Sequence, residues 1–373
     1  MLGVYIHIPF CESKCFYCDF YSVTTKELQD SYINAVTEEI LSETELLGER
    51  GVNTIYIGGG TPSIIDEEHI IKLLDLIKMF SMSDAEITIE INPESITKEK
   101  LKAYFAAGVN RISIGLQSAN NETLKKIGRR STVEDFEKAY NMAVEVGFKN
   151  ISCDVIIGLP DETKEMFERT VDYILNLNHI THISAYSLEI HENTKLDFLL
   201  ENNFLTLPAE ELEREMKYLL DKKLEVTGFN RYEISNYAKQ GYESKHNLKY
   251  WNQEEYLGFG AAASSFINSV RYTNISNITK YIENISSGIS NKDTIEEMDK
   301  LDLIKEYIIL RLRLKEGINL NEFKMKFKRD LTDFYKDKID VLIKQGLLEK
   351  SNDILRLTYK GEDLANLVWQ EFI

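Results

Sequence analysis

From the N-terminus to about residue 190, short apolar runs alternate with longer segments whose apolar residues recur every three or four positions. The longer segments predict helices, of which Val133–Val146 is an example. The short runs predict six β-strands, at Val4–Ile8, Thr54–Ile57, Glu86–Ile91, Arg111–Leu116, Ile151–Ile157 and His182–Ser187. Six consecutive strand–helix units are typical of a parallel sheet, either doubly wound or curved into a barrel.

The helix over Val133–Val146 also carries signals for its two ends. Ser131 and Glu134 have the spacing of a capping box, which predicts where the helix begins. Gly147 follows the last periodic residue, which predicts where it ends.

The two faces of the predicted strands differ in polarity. In the third strand, Ile87, Ile89 and Ile91 share one face, and Thr88 and Glu90 share the other. Polar positions on one face recur in the other strands, at Tyr5 and His7, at Ser113, Gly115 and Gln117, at Ser152 and Asp154, and at His182, Ser184 and Tyr186. A doubly wound sheet is covered by helices on both faces and should be apolar on both. We therefore predict an α/β fold built on a partial (β/α)6 barrel with a polar lumen.

The rest of the chain predicts a second, smaller unit. An acidic helix is expected near Ala209–Val226, a linker or surface loop over Asn274–Asp293, and a helix over Leu301–Leu314. The tail Val341–Thr358 has the helix-plus-hairpin pattern of a winged-helix module. We predict three parts: a barrel over residues 1–235, a connecting segment and linker over 236–293, and a small C-terminal α+β domain, winged-helix-like, over 294–373.

The charge balance limits the classes of molecule that the protein is expected to bind. The 44 Lys and Arg residues against 61 Asp and Glu residues give a net charge of −17. Such a surface repels phosphate backbones, so we expect no nucleic-acid partner, and the tail module should serve for packing. No apolar run approaches the roughly 20 residues that span a bilayer, and no basic export signal precedes the first strand. We therefore expect a cytoplasmic protein.

Three of the four cysteines lie in one turn-rich segment after the first strand. Cys11, Cys15 and Cys18 form a C-x3-C-x2-C pattern, and such a group in a reducing compartment predicts a metal or redox site. Three thiolates can hold three irons of a [4Fe–4S] cube, and the fourth iron can then chelate an amine and a carboxylate. The alternative is a Cys3His zinc site that includes His7. Cys153 lies on an apolar strand face and is expected in the core.

A glycine triplet follows the second strand. Gly58, Gly59 and Gly60 precede Thr61 and Pro62 at the carboxyl end of a parallel strand, where ligands bind in α/β folds. Residues without a side chain let a ligand approach the backbone closely. A tight strand–helix turn is the alternative.

Together these motifs resemble the radical S-adenosylmethionine (SAM) superfamily, and within it the branch of oxygen-independent coproporphyrinogen III oxidase. The similarity continues over most of the chain, through IEINPES around Glu90, NRISIGLQS at 110–118, GRR at 128–130, DVIIGLP at 154–160 and YEISN at 232–236. The resemblance implies that the three cysteines hold a [4Fe–4S] cluster, that SAM chelates its open iron, and that an electron donor reduces the cluster. By the same match, the expected SAM contacts are Tyr5, Gly59, Gly60, Thr61, Glu90, Gln117, Arg129 and Asp154.

Four of these expected contacts, Tyr5, Glu90, Gln117 and Asp154, also fall on the polar strand faces assigned above to the lumen. For the two carboxylates the alternative is a buried pair with a structural role.

Two features separate the chain from the oxidase. Phe20 stands where the oxidase motif carries a further cysteine. In addition, His246-Asn247-Leu248-Lys249-Tyr250-Trp251 is similar to the H-N-x-x-Y-W motif of the haem chaperones in this branch. That similarity implies that His246 is an axial haem ligand and that Tyr250 and Trp251 stack on the porphyrin. Taken alone, a single histidine is more often a hydrogen-bonded structural residue.

Three functional hypotheses follow from the resemblance. The first is a haem chaperone that binds the cluster, SAM and haem and passes haem to an acceptor protein, which could be a membrane protein. The second is oxidative decarboxylation of coproporphyrinogen III. The third is a radical SAM enzyme acting on an unrelated substrate. The sequence leaves open whether SAM is cleaved in the working cycle.

Overall fold

Six parallel strands form the centre of the main sheet in the computed structural model, which describes residues 1–373. They are the six predicted strands, most of them extended by one to five residues at one or both ends. Their bounds are β1 Leu2–Ile8, β2 Val52–Gly59, β3 Ser81–Ile91, β4 Arg111–Gln117, β5 Asn150–Ile157 and β6 His182–Ser187.

Helices separate these strands in sequence, as expected for repeated strand–helix units. The first nine are α1 Gln29–Ser42, α2 Thr44–Arg50, α3 Glu67–Lys78, α4 Lys98–Ala106, α5 Asn121–Lys126, α6 Val133–Val146, α7 Lys164–Leu175, α8 Lys195–Glu201 and α9 Glu210–Glu225. Helix α6 has the predicted bounds, and α9 lies within one residue of the predicted acidic helix.

The capping box of α6 lies one residue later than predicted. Thr132 and Asp135 form it, not Ser131 and Glu134. The hydroxyl of Ser131 is buried and accepts a hydrogen bond from Nε of Arg129 at 3.1 Å, so it is already engaged with the neighbouring loop. The predicted end of α6 is confirmed, since Gly147 has φ of 113°, in the left-handed region that favours glycine.

Further strands extend the sheet at both edges. They and the intervening helices are β7 Asn230–Arg231, β8 Asn236–Ala238, α10 Lys245–Trp251, β9 Tyr256–Phe259, β10 Ser264–Ile267, β11 Val270–Asn274, α11 Ile278–Ser286 and β12 Lys292–Glu297. The strand order is β12-β11-β10-β9-β1-β2-β3-β4-β5-β6-β8-β7, with β9 parallel to β1. The sheet does not close, so the prediction of a partial barrel is confirmed.

The prediction of a linker or surface loop over Asn274–Asp293 is wrong for most of its length. The segment contains α11, which packs on α1 and buries Ile278 and Tyr281. Its Asn and Ser residues suggested a loop, but Asn277 caps α11 and the amide of Asn291 donates to a buried backbone carbonyl. Residues 236–281 therefore contribute to the same apolar core as the barrel. The domain boundaries at 235 and 293 stay a prediction.

The C-terminal region forms a small α+β unit with its own apolar core, as predicted. A three-stranded antiparallel sheet, ordered β13-β15-β14, packs with six helices. Its elements are α12 Lys300–Leu312, β13 Ile318–Asn319, α13 Leu320–Phe327, α14 Leu331–Phe334, α15 Lys336–Lys344, β14 Leu348–Ser351, β15 Ile354–Leu357, α16 Tyr359–Asp363 and α17 Ala365–Gln370. None of the helices in the chain has both the length and the apolar content to cross a membrane.

Replacing Tyr281 by alanine tests whether residues 274–293 belong to the core. The ring is fully buried and its hydroxyl donates to Glu39 Oε2 at 2.6 Å. Since truncating a buried aromatic leaves a cavity, we expect Tyr281→Ala to lower the free energy of unfolding by about 3–5 kcal/mol. Chemical denaturation measures this value. Ile289→Ala, at an exposed position of the same segment, should change it by less than about 0.5 kcal/mol. Equal, small effects of both substitutions would contradict the assignment.

Candidate functional site

The loop that carries the three clustered cysteines is fixed by backbone hydrogen bonds. The Cys11 N–H donates to the carbonyl of Val23 at 2.9 Å, and the Val23 N–H donates to the carbonyl of Pro9 at 2.7 Å. Farther along, the Phe16 N–H donates to the carbonyl of Ile127 at 2.9 Å. The loop therefore packs against both the start of the barrel and the segment after α5, and this brings all three cysteines to one cavity.

The three thiols are free and partly exposed at this cavity. Burial raises the pKa of Cys18 to about 11 and also raises that of Cys11. Such thiols keep their protons until a metal displaces them, which suits a loop that is filled by a metal cluster. The Sγ atom of Cys11 lies 3.5 Å from the hydroxyl of Thr61, which connects the cysteine loop to the glycine turn.

The zinc alternative does not fit the position of His7. Its Nδ1 pairs with the Tyr5 hydroxyl at 3.0 Å and its Nε2 donates to the carbonyl of Tyr21 at 3.0 Å. Both ring nitrogens are therefore engaged, and His7 is absent from the cavity that the three cysteines line. In the described chain, no three His, Cys, Asp or Glu side chains converge closely enough to hold one ion. A [4Fe–4S] cube separates its thiolate ligands more widely than a single zinc ion does.

The turn after β2 can form only because its glycines have no side chains. Gly59 has φ of 108°, and a Cβ atom on Gly60 would lie 2.8 Å from the carbonyl oxygen of Phe10. The Gly60 N–H donates to the carbonyl of Ile8 at 2.9 Å, and the Thr61 N–H donates to the carbonyl of Phe10 at 2.8 Å. The triplet thus lets β2 pack directly against the start of the cysteine loop.

Two carboxylates project into the same cavity from β3 and β5, the strands that flank β4 in the sheet. Glu90 on β3 accepts hydrogen bonds from the Tyr56 hydroxyl at 2.8 Å and from the Gly59 N–H at 3.1 Å. Asp154 on β5 accepts hydrogen bonds from the Ser113 hydroxyl at 2.9 and 3.0 Å. Burial raises the pKa of Glu90 to about 7, and burial also raises the pKa of Asp154. Two partly desolvated carboxylates are suited to binding hydroxyl or ammonium groups of a ligand.

Gln117 and Arg129 lie beside these carboxylates. Gln117 ends β4 with φ of 68°, an uncommon conformation for a side-chain-bearing residue and one that is typical of functional positions. The guanidinium of Arg129 donates to the carbonyl of Gly115 at 2.8 Å and to the side-chain oxygen of Asn92 at 2.8 Å. Asn92 in turn donates to the Thr61 hydroxyl at 3.3 Å. A continuous hydrogen-bonded path therefore runs from the cysteine loop to β4.

The first cavity, with a volume of about 660 Å³, gathers most of the predicted site. Ten predicted residues line it: Cys11, Cys15, Cys18, Gly59, Gly60, Thr61, Glu90, Gln117, Arg129 and Asp154. Tyr5 is not among them. Tyr5 lies on β1 and pairs with Tyr56 of β2, so it is one strand farther than Tyr56 from Glu90 and Asp154. It lines a second cavity instead.

The second cavity, with a volume of about 480 Å³, is lined mainly by aromatic and apolar side chains. Tyr5, Tyr250 and Trp251 line it together with Tyr256 and Phe266. Tyr250 and Tyr256 meet edge to face, with ring centroids 4.7 Å apart. Two of the three residues of the H-N-x-x-Y-W motif that were assigned to haem therefore share one concave aromatic surface, which is a suitable lining for a flat apolar ligand.

His246 lies behind this surface and lines neither cavity. Its side chain is about 1% exposed, with Nδ1 paired to the Thr54 hydroxyl at 2.8 Å and Nε2 paired to the Tyr250 hydroxyl at 2.8 Å. Burial, followed by the positive charges of Lys249 and Arg111, lowers the pKa of His246 to about 3. The ring is therefore neutral and, in this conformation, has both nitrogens occupied.

Comparison with known proteins assigns the family. The radical SAM superfamily matches residues 5–174, and the HemN C-terminal domain matches residues 298–364. The heme chaperone HemW of Bacillus subtilis is 38% identical over 379 residues, which cover 100% of this chain and 99% of the relative. The heme chaperone HemW of Escherichia coli is 32% identical over 383 residues, covering 100% and 98%. The chain belongs to the HemW family of radical SAM proteins.

The fold of this HemW-family chain is also that of a solved structure. Coproporphyrinogen III oxidase (HemN) from Escherichia coli, described as a radical SAM enzyme, aligns with a TM-score of 0.86 at 23% identity. The alignment covers 100% of this chain and 89% of the oxidase. The partial barrel and the C-terminal unit are therefore a shared architecture. Membership in the radical SAM family implies SAM and a [4Fe–4S] cluster as cofactors.

Sequence reasoning missed several residues that line the first cavity of this HemW-family chain. Tyr56, Asn92 and Arg111 are the clearest examples. Tyr56 could have been found, because Thr54, Tyr56 and Gly58 alternate with apolar residues in β2 as the polar positions do in the other strands. Arg111 was quoted only as part of a motif, although it precedes Ser113 by two positions and alternation therefore places it on the same polar face of β4.

Glu90→Gln should change the pH dependence of stability. The pKa of Glu90 is about 7 in the folded chain and 4.5 when unperturbed. Stability therefore falls as pH rises through this interval, and above it the full free-energy cost of burying the ionised carboxylate applies. We expect Glu90→Gln to raise the free energy of unfolding at pH 8 by at most about 3 kcal/mol and to leave it nearly unchanged at pH 5. Chemical denaturation of the cofactor-free protein at both pH values measures this difference.

The matched control for this substitution is Glu99→Gln, at an exposed position of α4. It should shift stability by less than about 0.5 kcal/mol at either pH. A Glu90→Gln protein that gains no more stability at pH 8 than at pH 5 would show that the carboxylate is not desolvated.

Proposed function

We propose that this protein is a haem chaperone that holds a [4Fe–4S] cluster and SAM in its first cavity, binds haem at its second, and delivers haem to an acceptor protein. The observation that supports it most directly is the second cavity, where Tyr250 and Trp251 share an aromatic surface with Tyr5. The relatives that match along the whole chain are named as haem chaperones, which agrees with this reading.

In the first cavity, Cys11, Cys15 and Cys18 would hold the cluster. The chemistry that a reduced cluster supplies is one-electron cleavage of the sulfonium of SAM, and an electron donor must provide that electron. Gly59 and Gly60 would present their backbone to these groups at the glycine turn. The cysteine loop, which follows β1, lines this cavity.

The polar side chains of this cavity would bind SAM. Thr61, Glu90, Gln117, Arg129 and Asp154 supply acceptors for hydroxyl and ammonium groups and one positive charge for a carboxylate. Tyr5 is assigned to SAM by motif similarity, although it lines the second cavity. A contact between Tyr5 and SAM would require its hydroxyl to leave Nδ1 of His7.

At the second cavity, Tyr250 and Trp251 would stack on the porphyrin, and His246 would be the axial ligand. Thr54 fixes the ring orientation through Nδ1, as the partner of a ligating histidine commonly does. Nε2 becomes available only when the Tyr250 hydroxyl releases it. Haem binding through His246 therefore requires a rotation of Tyr250.

The partners that complete this function are haem, an electron donor and a haem acceptor. We place the protein in the cytoplasm, because reducing conditions keep the three cysteines available for a cluster. The net charge of −17 argues against nucleic acid as a partner. An acceptor in the membrane would be met from outside the bilayer, since no helix of this chain has the features of a membrane span.

Coproporphyrinogen III oxidation is the second candidate, because the fold matches that of the oxidase along the full chain. Phe20 argues against it. This residue replaces the additional cysteine of the oxidase motif, its side chain is 69% exposed, and it lines both cavities. We expect no conversion of coproporphyrinogen III to protoporphyrinogen when the reconstituted protein is supplied with SAM and a reductant.

Substituting the clustered cysteines tests the cluster assignment. After anaerobic reconstitution, the unaltered chain should contain about four irons, and Cys11→Ala, Cys15→Ala and Cys18→Ala should each lose most of this iron because a ligand is missing. Iron analysis and electron paramagnetic resonance of the reduced protein measure the loss. Cys153→Ala is the matched control, since Cys153 is buried in β5, and should retain the iron. Full iron content in all three variants would overturn the assignment.

Haem titration tests the second cavity. We expect the Soret band of the bound haem to shift and the haem affinity to fall at least tenfold in His246→Ala, because an axial ligand is lost. Tyr250→Phe should keep the affinity or raise it, since it removes the hydroxyl that occupies Nε2. His69→Ala is the matched control, at a histidine paired with Asp30 on the surface. Unchanged binding by His246→Ala would remove this residue from the haem site.

A further inference from the structure

Arg111 reaches the first cavity from its deep end. The residue begins β4, whereas Gln117 ends the same strand at the cluster side. Six residues of a strand span about 20 Å, so the backbone of Arg111 lies well away from the rim that carries the glycine turn. Its side chain is nonetheless among those that line the cavity, and the residue is 2% exposed.

The guanidinium of Arg111 has no partner in the protein. It donates no hydrogen bond to any side chain or carbonyl and forms no ion pair, and its Nε is buried without an acceptor. An arginine side chain stays charged in proteins, and a buried charge without a partner is strongly destabilising. A position of this kind is stable only if neighbouring charges or a ligand compensate it.

The neighbouring carboxylates are already engaged elsewhere. Glu86 accepts the first backbone N–H groups of α10, from Lys245 at 3.2 Å and from His246 at 3.1 Å. Asp154 accepts the hydroxyls of Ser113 at 2.9 Å and Ser152 at 3.3 Å. Both carboxylates lie near enough to favour the charged guanidinium by their field, yet neither forms an ion pair with it.

We infer that Arg111 forms a subsite on the floor of the first cavity for the carboxylate of a small ligand. Ser184 and Asn247 line the same cavity and carry hydroxyl or amide donors. The guanidinium of Arg111 presents a planar set of N–H donors to the cavity, and no protein acceptor occupies them. This geometry matches a planar carboxylate. The inference concerns the first cavity and does not depend on haem binding at the second.

The charges around the subsite favour a singly charged group. Asp154 and Glu90 line the same cavity, so a phosphate with two negative charges would be repelled. One carboxylate neutralises the guanidinium, and the two protein carboxylates remain for hydroxyl or ammonium groups of the same ligand. SAM and haem both carry carboxylates; the SAM carboxylate is expected at the open iron of the cluster, so a comparison of the two ligands decides whether either group reaches Arg111.

Propionate and its neutral analogue propionamide test the subsite in the intact, cluster-loaded chain. Propionate at tens of millimolar, against sodium chloride of equal ionic strength, should raise the unfolding temperature by about 2 °C, because a ligand that binds only the folded state stabilises it. Propionamide, which has the same shape without the charge, should not. The absence of any difference between the two compounds in the unaltered protein would overturn the inference without recourse to a variant.

Arg111→Met identifies the residue responsible. The substitution keeps an unbranched stem and removes the charge, so the propionate effect should disappear while the cluster iron is retained. Arg130→Met is the matched control, at an exposed arginine in the neighbouring GRR motif, and should keep the effect. If Arg111→Met retains the propionate effect, the subsite lies elsewhere and the inference fails. If that variant does not fold, Arg111→Lys should bind propionate more weakly than the unaltered chain, and equal binding would contradict the role of the guanidinium.

Two ligand comparisons identify the source of the carboxylate. For SAM, the unaltered chain should bind at least tenfold more tightly than Arg111→Met if SAM supplies the group. For haem, the unaltered chain should prefer haem to its dimethyl ester at least tenfold, and Arg111→Met should lose that preference, if a propionate supplies it. Either result supports the subsite. If Arg111→Met changes neither comparison but loses the propionate effect, the subsite takes its carboxylate from a ligand other than SAM or haem.

Discussion

Burial of polar groups on one face of a parallel sheet is the constraint on which this structure depends. Apolar residues such as Ile87 and Ile89 belong to the apolar core of the barrel, whereas the opposite face, with Glu90 and Asp154, lines the first cavity. Hydrogen bonds reach all four oxygens of the two carboxylates, among them those from Tyr56 and Ser113, yet burial still raises the pKa values of both groups. An interior of this kind is stabilised by a polar ligand, which is why the fold and the binding site cannot be separated.

Helix α10, which carries the H-N-x-x-Y-W motif, contributes side chains to both cavities. Glu86 on β3 accepts its first backbone N–H groups, and Thr54 on β2 holds its histidine. At the other end of α10, the guanidinium of Arg313 lies over the ring of Trp251 at 4.4 Å and over that of Trp369 at 5.2 Å. The C-terminal unit therefore contacts the aromatic cavity through a stacked arginine, in addition to Glu306 and Leu310 of α12. Movement of that unit would alter the lining of the second cavity.

The residues on which the proposed function depends lie in these two cavities. The first contains the thiols, the glycine turn and the polar side chains that were predicted to bind a cluster and SAM, and the comparisons place the chain in the radical SAM family. The second contains Tyr250 and Trp251 of the H-N-x-x-Y-W motif together with other aromatic residues. Phe20 and Tyr21 line both, so the cysteine loop forms part of the boundary between them. A change in the cysteine loop would thus reach the aromatic cavity directly.

The sequence by itself determined the strand–helix order, the polarity of the strand faces, the cysteine loop and the glycine turn. These features are local: alternation in β3, the end of α6 at Gly147 and the spacing of Cys11, Cys15 and Cys18 depend on near neighbours in the chain. Contacts between residues far apart in sequence decided the rest. Packing on α1 turned an Asn- and Ser-rich segment into α11, and pairing with Thr54 and Tyr250 occupied both nitrogens of His246. The strand register moved Tyr5 to the second cavity, and burial without a partner singled out Arg111, because desolvation and pairing are properties of the folded chain.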